Sequence, residues 1–440
     1  MLEPAVVQGN ITRGYPLPQA LFLFVHFGSP TVGRAALEAL RPRLTTGAEW
    51  EPGRRPTATL NVALSAAGLA ALGLPAEVLD SFPEEFRQDM ASRSRQLGDA
   101  EADHPANWAP EWRRSAEIHA LVSIYAQDQT VLDAERERLL GEPWATGVTV
   151  VVEERGGRLP GGTEHFGFAD GLSQPVLAGV GGPTPTPAGR STLATGEILL
   201  GHLDGEGFLP PSPRPGVLAH DGTFLVFRKL SQDVDAYQRF RAERGRAYPG
   251  GPPVLEAKVM GRWPDGRPLA RPSVTEETLD FADDPDGTTC PVGAHIRRAN
   301  PRRGLGADRQ DFFDRHRMLR RGIPYTTPTE RGLLFQCLCA SIGRQFEFVQ
   351  SQWLNDGNAL GLGDERDVIA GSHPEVSGGH MTVPGDAGAG RPLWVVPRVP
   401  RLVSVRGGAY FFVPSMVAVR WLTQGTWAHP AVSPRMVTVP

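Results

Sequence analysis

The sequence predicts an α+β fold made of two ferredoxin-like domains, each with an antiparallel sheet, and three observations lead to this prediction. The chain has 440 residues, which is too long for one small hydrophobic core and favours two domains. Segments typical of strands and helices follow the order β-α-β, and then β-α-β again, in the first part of the chain. The second part repeats this order of elements broadly, without a repeat of the sequence itself. We expect an N-terminal domain at residues 1–200 and a C-terminal domain at residues 201–440.

Seven segments make up the predicted N-terminal domain. Runs of apolar and β-branched residues indicate strands, whereas apolar residues at helical spacing indicate helices. In chain order they are a strand at 20–27, a helix at 33–44, a strand at 57–63, a short helix at 65–73, a strand at 119–125, a helix at 131–140 and a strand at 147–154.

The predicted C-terminal domain has a similar but looser succession of elements. The residues indicate a strand at 223–230, an amphipathic helix at 233–246, a strand from 333 followed by a second strand at 344–349, and a late strand at 410–414. Two segments rich in proline and glycine, 178–222 and 377–392, are typical of long surface connections.

Charge and composition exclude several classes of protein. The formal net charge is −4 and hydrophobic residues make up 40%, so we expect a globular protein that binds no nucleic acid. The apolar run at 20–27 is too short to span a membrane. The N-terminus lacks the basic and apolar segments of a secretory signal, which predicts a cytoplasmic protein. The cysteines are odd in number and predict buried thiols rather than a disulfide scaffold: Cys290, Cys337 and Cys339.

Two short stretches hold the residues with the clearest chemical potential. The first, EHFGFADGLSQP at 164–175, places the carboxylate of Asp170 in a loop bracketed by glycines. The second, CPVGAHIRRANPR at 290–302, places His295 among arginines. Composition alone leaves a structural interpretation open, because an aspartate beside a glycine is typical of a turn. A histidine opposite an aspartate, with an arginine nearby, is also the minimum set for a haem that cleaves peroxide.

Both stretches resemble the signature segments of the dye-decolorizing peroxidases. The GxxDG signature of that family matches Gly167–Gly171, its proximal-histidine segment is similar to His295–Arg302, and its distal arginine falls on Arg320 within RRGIPY. Thr326 follows this last motif, where the family pattern has a glycine. Other similar segments keep their order along nearly the whole chain, at 8–11, 60–63, 82–86, 225–230, 261–264 and 331–335. The segment QGNI at 8–11 resembles the larger bacterial and fungal branch of the family.

The resemblance implies one haem b per chain, bound mainly by the second of two ferredoxin-like domains. His295 is then the axial ligand of the haem iron. Its other ring N–H needs an acceptor, for which we prefer Asp367 over Glu347. Arg302 is expected to pair with a haem propionate as a fork of donors to a carboxylate.

On the peroxide side, the resemblance implies two catalytic residues. Asp170 is expected to take a proton from bound peroxide and return it to the leaving oxygen. Arg320 is expected to stabilise the negative charge that develops on that oxygen. Leu333 and Phe335 would form the wall of this pocket. The obvious alternatives to Arg320 are Arg317 and Arg321.

The implied function is a peroxidase that uses hydrogen peroxide to oxidise bulky aromatic substrates such as dyes and phenols. Trp353 is a candidate electron relay to substrates at the surface, although a tryptophan at such a place is usually a packing residue. The alternatives are a haem carrier or sensor on the same fold and a binding protein without haem. We expect a monomer or homodimer, and no targeting tail at 423–440.

Overall fold

A computed structural model describes residues 2–51, 53–141, 144–179, 192–270, 279–306, 309–385, 390 and 392–427 of the chain. The predicted connections at 178–222 and 377–392 lie partly outside these residues, as does most of the tail at 423–440. The strands of the first half are β1 (Gln19–Phe27), β2 (Ala58–Leu64), β3 (Ala120–Ala126) and β4 (Val148–Gly157), followed by the short parallel pair β5 (Val176–Leu177) and β6 (Thr192–Leu193).

The strands β1 to β4 form an antiparallel sheet in the order β4-β1-β3-β2, which is the ferredoxin-like order. In this register Ile124 of β3 lies between Leu21 of β1 and Leu60 of β2. All three side chains are buried, so the apolar runs that predicted these strands form the core.

The second half builds a sheet of the same order. Its strands are β7 (Thr223–Gln232), β8 (Leu319–Arg320), β9 (Ile323–Thr326), β10 (Arg331–Cys339), β11 (Gly379–Val383), β12 (Trp394–Val399) and β13 (Val403–Val413). The order is β13-β7-β10-β8, with β9 also paired to β10, and every pairing is antiparallel. The hairpin of β11 and β12 stands apart.

The two half-sheets join at β2 and β13, where Phe412 pairs with Leu64, to give one nine-stranded sheet among the described residues. The amide of Gln8 donates to the carbonyl oxygens of Val62 (2.8 Å) and Pro414 (3.0 Å), and so bridges the ends of both strands. The prediction of an α+β fold with antiparallel sheets is therefore confirmed. The domain boundary near residue 200 stays a prediction.

Helices cover the sheet and connect its strands. They are α1 (Gly9–Thr12), α2 (Pro30–Leu40), α3 (Ala66–Ala71), α4 (Ala76–Leu79), α5 (Glu84–Arg87), α6 (Ser94–Leu97), α7 (Gln129–Leu140), α8 (Gly216–Ala219), α9 (Val234–Ala247), α10 (Gly251–Met260), α11 (His295–Ala299), α12 (Gln310–Asp314) and α13 (Met416–Gln424). In the described part of the chain, no helix has the length and apolar character needed to cross a membrane.

The helix predicted at 33–44 begins and ends earlier than expected. Ser29 caps α2 by accepting a hydrogen bond from the amide of Val32, with Pro30 at the first helical position. The α-helix ends at Leu40 and the chain continues as a tighter 3-10 turn at Arg41–Arg43, where Pro42 has no N–H to donate to the carbonyl oxygen four residues before it. The other predicted helices and strands of the N-terminal half are confirmed within a few residues.

Two predictions for the second half were wrong. The segment 344–349, expected to be a strand, is helical. Ser341 caps a π-helix at Ile342–Glu347 by accepting a hydrogen bond from the amide of Arg344, and a second π-helix follows at Val349–Leu354. The surface connection expected at 377–392 contains β11, and the one expected at 178–222 contains the fully buried residues 198–200. The three cysteines are buried and free, as predicted.

Candidate active site

A cavity of about 300 Å³ lies where the loop after β4 meets β7, β10 and α11, within the size range of cofactor and ligand pockets. Its lining brings together seven of the residues that the sequence singled out, namely Asp170, His295, Arg302, Arg320, Leu333, Phe335 and Trp353. Asp367 lies behind His295 and is fully buried. The cavity therefore unites positions that are up to 183 residues apart.

His295 forms one wall of the cavity as the first residue of α11. Its Nδ1 lies 3.1 Å and 3.0 Å from the two carboxylate oxygens of Asp367. The side chain of His295 is 28% exposed, and among the described residues no hydrogen-bond partner meets its Nε2. This nitrogen is thus available to a ligand in the cavity. Glu347, the alternative acceptor, instead accepts from Arg93 and Tyr410.

Backbone hydrogen bonds hold Asp367 in place. Its Oδ1 accepts from the amides of Ile369 (3.0 Å) and Ala370 (2.7 Å), and its own amide donates to the carbonyl oxygen of Leu354. The imidazole of His373 contacts the Asp367 carbonyl oxygen at 2.9 Å. The carboxylate can therefore turn away from His295 only by breaking the two hydrogen bonds that its Oδ1 accepts from these amides.

The His295–Asp367 pair shifts the pKa of both groups. Burial lowers the pKa of His295, but the nearby carboxylate of Asp367 more than offsets this, and the net pKa is raised. Burial likewise raises the pKa of Asp367. The nearby His295 and the Ala370 amide lower this pKa by more than burial raises it, so the net pKa is lowered. The carboxylate thus stays ionised and holds a proton on Nδ1, which leaves Nε2 as the basic nitrogen that faces the cavity.

Two arginines that the sequence did not single out fix the helix of His295. Arg298, buried completely, donates to the carbonyl oxygens of Trp353, Asp356 and Glu365, and so connects α11 to the segment that precedes Asp367. Arg297 donates to Asp284 at 3.1 Å. Arginine is a surface residue in most proteins, so the sequence offered no signal for these buried positions.

The Asp170 loop forms another part of the cavity wall. Gly167 and Gly171 have φ angles of +98° and +76°, which only glycine adopts without strain. The Asp170 amide donates to the carbonyl oxygen of Gly162 at 3.1 Å, and its Oδ1 accepts from the amide of Gly171 at 2.7 Å. Asp170 is exposed on the cavity, where its second carboxylate oxygen can meet a substrate.

Arg320, at the end of β8, contacts the segment that follows Asp170. Its backbone amide donates to Oε1 of Gln174 (2.9 Å), and its guanidinium donates to the carbonyl oxygen of Leu172 (2.6 Å). Of the two alternatives, Arg317 also lines the cavity but pairs with Asp314 at 3.1 Å. Arg321 points to the backbone oxygens of residues 10 and 11 and does not line the cavity.

A second positive region of the cavity lies at Ser173. The guanidinium groups of Arg302 and Arg262 both donate to its hydroxyl, at 2.6 Å and 3.1 Å. Both arginines line the cavity. Planar guanidinium groups at such a place suit a carboxylate ligand.

The remaining walls are apolar and aromatic. Leu333 and Phe335 alternate with the buried Leu334 on β10, and therefore face the cavity side by side. Trp353 lines the cavity and is 5% exposed. Its ring contacts His316 (5.0 Å between ring centres) and Phe348 (5.5 Å) edge to face.

These residues fit the haem that the sequence leads us to expect. A histidine with one nitrogen fixed by a carboxylate and the other open to the cavity suits an axial ligand. Apolar walls suit a porphyrin, and the arginines at Ser173 suit its carboxylates.

Comparisons with known proteins agree with this geometry. The family model for the DyP dimeric alpha+beta barrel domain matches residues 6–157, and the model for the C-terminal part of Dyp-type peroxidases matches residues 216–385. Peroxidase 2 of Mycetinis scorodonius is 30% identical, covering 94% of this chain and 86% of that protein. The multifunctional dye peroxidase DyP2 of an Amycolatopsis species is also 30% identical, covering 94% and 95%. A solved structure of a dye-decolorizing peroxidase in complex with 2,6-dimethoxyphenol has a TM-score of 0.80 at 28% identity, covering 95% of this chain and 99% of that one.

Proposed function

This chain belongs to the dye-decolorizing peroxidase family, and from that premise we propose that it binds one haem b through His295 and cleaves hydrogen peroxide with Asp170 and Arg320. The substrates it oxidises are bulky aromatic compounds such as dyes and phenols. The observation that carries the proposal is the cavity that has His295, backed by Asp367, on one wall and Asp170 with Arg320 on another.

The cofactor is held by residues of the second half of the chain. Nε2 of His295 would bind the haem iron, and the Asp367 carboxylate increases its basicity through Nδ1. Arg302 receives a propionate next to Ser173. Leu333 and Phe335 line the cavity and would pack against the cofactor. When bound, haem supplies the iron centre at which the O–O bond of peroxide is reduced.

Asp170 and Arg320 divide the chemistry of peroxide cleavage. The carboxylate of Asp170 accepts a proton from one oxygen of hydrogen peroxide and donates it to the departing oxygen, which leaves as water. The guanidinium of Arg320 stabilises the negative charge on that oxygen before the proton arrives. The bonds from Arg320 to Leu172 and Gln174 keep this cation next to the Asp170 loop.

Bulky substrates are oxidised away from the cavity. A volume of about 300 Å³ leaves little room for a dye beside a cofactor. Trp353 borders the cavity and contacts His316, whose ring lies 4.8 Å from that of the 48%-exposed Phe312. We propose Trp353 as the electron relay towards that surface. The relative bound to 2,6-dimethoxyphenol supports phenols as one substrate class.

The test is a stopped-flow absorbance record of the haem-loaded protein mixed with one equivalent of hydrogen peroxide. Wild type is compared with Asp170→Asn and Arg320→Leu, and with Arg317→Leu as the neighbouring arginine. We expect a rapid change of the haem spectrum in wild type, a slowing of roughly a hundredfold or more in the first two variants, and little change in the third. Haem that is bound but unreactive towards peroxide in wild type contradicts the proposal.

That contradictory result would favour the alternative, a haem carrier or sensor on the same fold. Carriage requires neither a carboxylate nor an arginine on the open wall of the cavity, so Asp170 and Arg320 argue against it. A cytoplasmic location and a monomeric or homodimeric state remain predictions from the sequence.

A further inference from the structure

We propose that Glu164 is a positioning residue, whose buried carboxylate fixes the loop that carries Asp170 against the end of β7. The inference rests on the proposed role of Asp170 in peroxide cleavage and extends it to a residue with no role assigned so far. Glu164 begins the same signature stretch, six positions before Asp170, and it also borders the cavity.

The carboxylate of Glu164 accepts three hydrogen bonds. Oε1 accepts from the amide of Phe168 (2.9 Å), and Oε2 accepts from the amide of Phe166 (2.8 Å) and from the side-chain amide of Gln232 (2.6 Å). The backbone closes the same turn, since the Glu164 amide donates to the Phe168 carbonyl oxygen and the Gly167 amide donates to that of Glu164. The carboxylate is therefore the centre of the turn rather than a group at its edge.

Gln232 connects this turn to the sheet. It is the last residue of β7, the strand that supplies Arg228 and Leu230 to the cavity wall. In the described part of the chain its Oε1 has no hydrogen-bond donor, so the bond to Glu164 is the hydrogen bond that orients its side-chain amide. A loop on one wall of the cavity is thus tied to a rigid strand by a charge-assisted hydrogen bond.

Packing fixes the remaining freedom of the turn. The ring of Phe166 stacks on that of Tyr237, with centres 4.4 Å apart and planes inclined by 26°. Phe166, Phe168 and Tyr237 are all buried in one apolar cluster. Because Phe166 and Phe168 are both held by this packing, Asp170, two positions after Phe168, has little freedom to move.

The residue type is informative, because a buried carboxylate is costly unless donors surround it. Burial raises the pKa of Glu164, and the amides of Phe166 and Phe168 partly reverse that shift. Since all of these contacts occupy the carboxylate, Glu164 does not itself serve as the proton acceptor for peroxide. It acts through Asp170, whose carboxylate must lie within hydrogen-bond reach of peroxide. A displacement of that carboxylate by about 1 Å can slow peroxide cleavage roughly a hundredfold.

The test combines amide exchange with kinetics. The variants are Glu164→Ala and the isosteric Glu164→Gln. In the second variant the side-chain NH2 group would face N–H donors that now point at the carboxylate. Glu197→Ala is the matched control, because Glu197 is another buried carboxylate that accepts from a backbone amide, that of Gly205, away from the cavity lining. Hydrogen–deuterium exchange of the Phe166 and Phe168 amides is measured first. We expect faster exchange in both Glu164 variants and none of this local effect in Glu197→Ala.

The kinetic part uses the peroxide reaction of the haem-loaded protein, with the Asp170→Asn background as the discriminating step. We expect Glu164→Ala to slow the reaction roughly a hundredfold with unchanged haem uptake, and to add no further loss when Asp170 is already asparagine. A smaller loss in Glu164→Gln supports the same conclusion.

Three results overturn the inference. They are a wild-type rate in Glu164→Ala, an equal loss in Glu197→Ala, and a further loss in the Asp170→Asn background. A wild-type rate in Asp170→Asn itself is a different failure, because it removes the proposed role of Asp170 and with it the reason to position that loop.

Discussion

Nδ1 of His295 lies 3.0 Å from Oδ2 of Asp367, although 72 residues separate the two along the chain. The imidazole stands at the start of α11, whereas the carboxylate belongs to an irregular segment held by its own backbone amides. This arrangement fixes the ring and directs its second nitrogen to the cavity. The pair is the structural basis of the proposed iron ligand.

Replacing Asp367 by asparagine should weaken cofactor binding. Asparagine keeps the size but removes the negative charge that orients the imidazole, and loss of such a partner typically costs about 10- to 100-fold in affinity or activity. Titration of haem into the protein, followed by absorbance, measures the change. Asp364→Asn is the control, since Asp364 is a nearby exposed aspartate. Equal affinities in the two variants would contradict the proposed role.

Replacing Arg302 by alanine should also weaken haem binding, without affecting the ring of His295. A charge-assisted hydrogen bond to a carboxylate contributes about 1.5–3 kcal/mol, or roughly tenfold to a hundredfold in Kd. Arg302→Lys should recover only part of this, because an ammonium lacks the planar fork. The control is Arg303→Ala, at an exposed neighbour 3.9 Å from Asp280. A haem with esterified propionates should bind wild type and Arg302→Ala alike.

Replacing Trp353 by phenylalanine should separate the oxidation of dyes from the reaction with peroxide. Phenylalanine fills most of the space but is far harder to oxidise than indole. Turnover of a bulky dye should fall, while the stopped-flow reaction with peroxide stays at the wild-type rate. The control is Trp394→Phe, because Trp394 is a half-buried tryptophan of the β11–β12 hairpin whose ring packs on that of Tyr248. This control should change neither dye turnover nor the reaction with peroxide. Unchanged dye turnover in Trp353→Phe rules out this relay.

The sequence predicted most strands of the two half-sheets because their apolar runs are long and buried. It failed at 344–349, where the central residues QFEF at 345–348 alternate between polar and apolar as a half-buried strand does. The structure instead caps a helix at Ser341, and β10 already has β7 on one side and β8 and β9 on the other. The periodicity of so short a segment does not show that both edges of the neighbouring strand β10 are already paired.

The candidate site was predictable only in part, and for a related reason. The sequence indicated Asp170 and His295 through short motifs with glycine and arginine around them, and the resemblance added the others. It offered no sign that Arg298 is buried and donates hydrogen bonds to three carbonyl oxygens. Nor did it show that the Glu164 carboxylate accepts hydrogen bonds from backbone amides of its own loop. Such contacts depend on which backbone groups the fold leaves unpaired, and composition does not encode that locally.

Protonation of His119 should destabilise the protein in acid. Its Nδ1 accepts a hydrogen bond from the amide of Phe27 at 2.9 Å, and burial, aided by the neighbouring His26, lowers its pKa to about 4. Unfolded histidine has a pKa of about 6.5. Between these values the unfolded state binds more protons, so the free energy of unfolding should fall as the pH drops from about 6.5 to 4. Urea unfolding across this range measures the slope.

The variant His119→Gln isolates this effect, because the glutamine oxygen can still accept from Phe27 without titrating. Its dependence on pH should be shallower than that of wild type over the same window. His104→Gln is the matched control, since His104 is an exposed histidine that also accepts from a backbone amide, that of Ala106. A slope in His119→Gln equal to that of wild type would show that His119 is not the group responsible.

The buried pair of Arg228 and Asp99 should respond unequally to loss of either partner. Both side chains are 2% exposed, and they join β7 to the segment after α6. Asp99→Leu leaves a guanidinium that cannot lose its proton, so unfolding should become easier by about 3–5 kcal/mol. Arg228→Met should cost less, because burial already raises the pKa of Asp99 to about 6 and the carboxyl can take up a proton.

That difference sets the dependence on pH of the two variants. The cost of Arg228→Met should shrink as the pH falls from 8 to 5, as Asp99 becomes neutral, whereas the cost of Asp99→Leu should not shrink over that range, because this variant has no carboxyl to take up the proton. The double variant should recover most of the stability, since two apolar side chains replace the pair without leaving a charge behind. Urea unfolding followed by circular dichroism at both pH values tests this. Equal costs for the two single variants at pH 8, or a double variant less stable than either, would show that the pair is not what makes these positions sensitive.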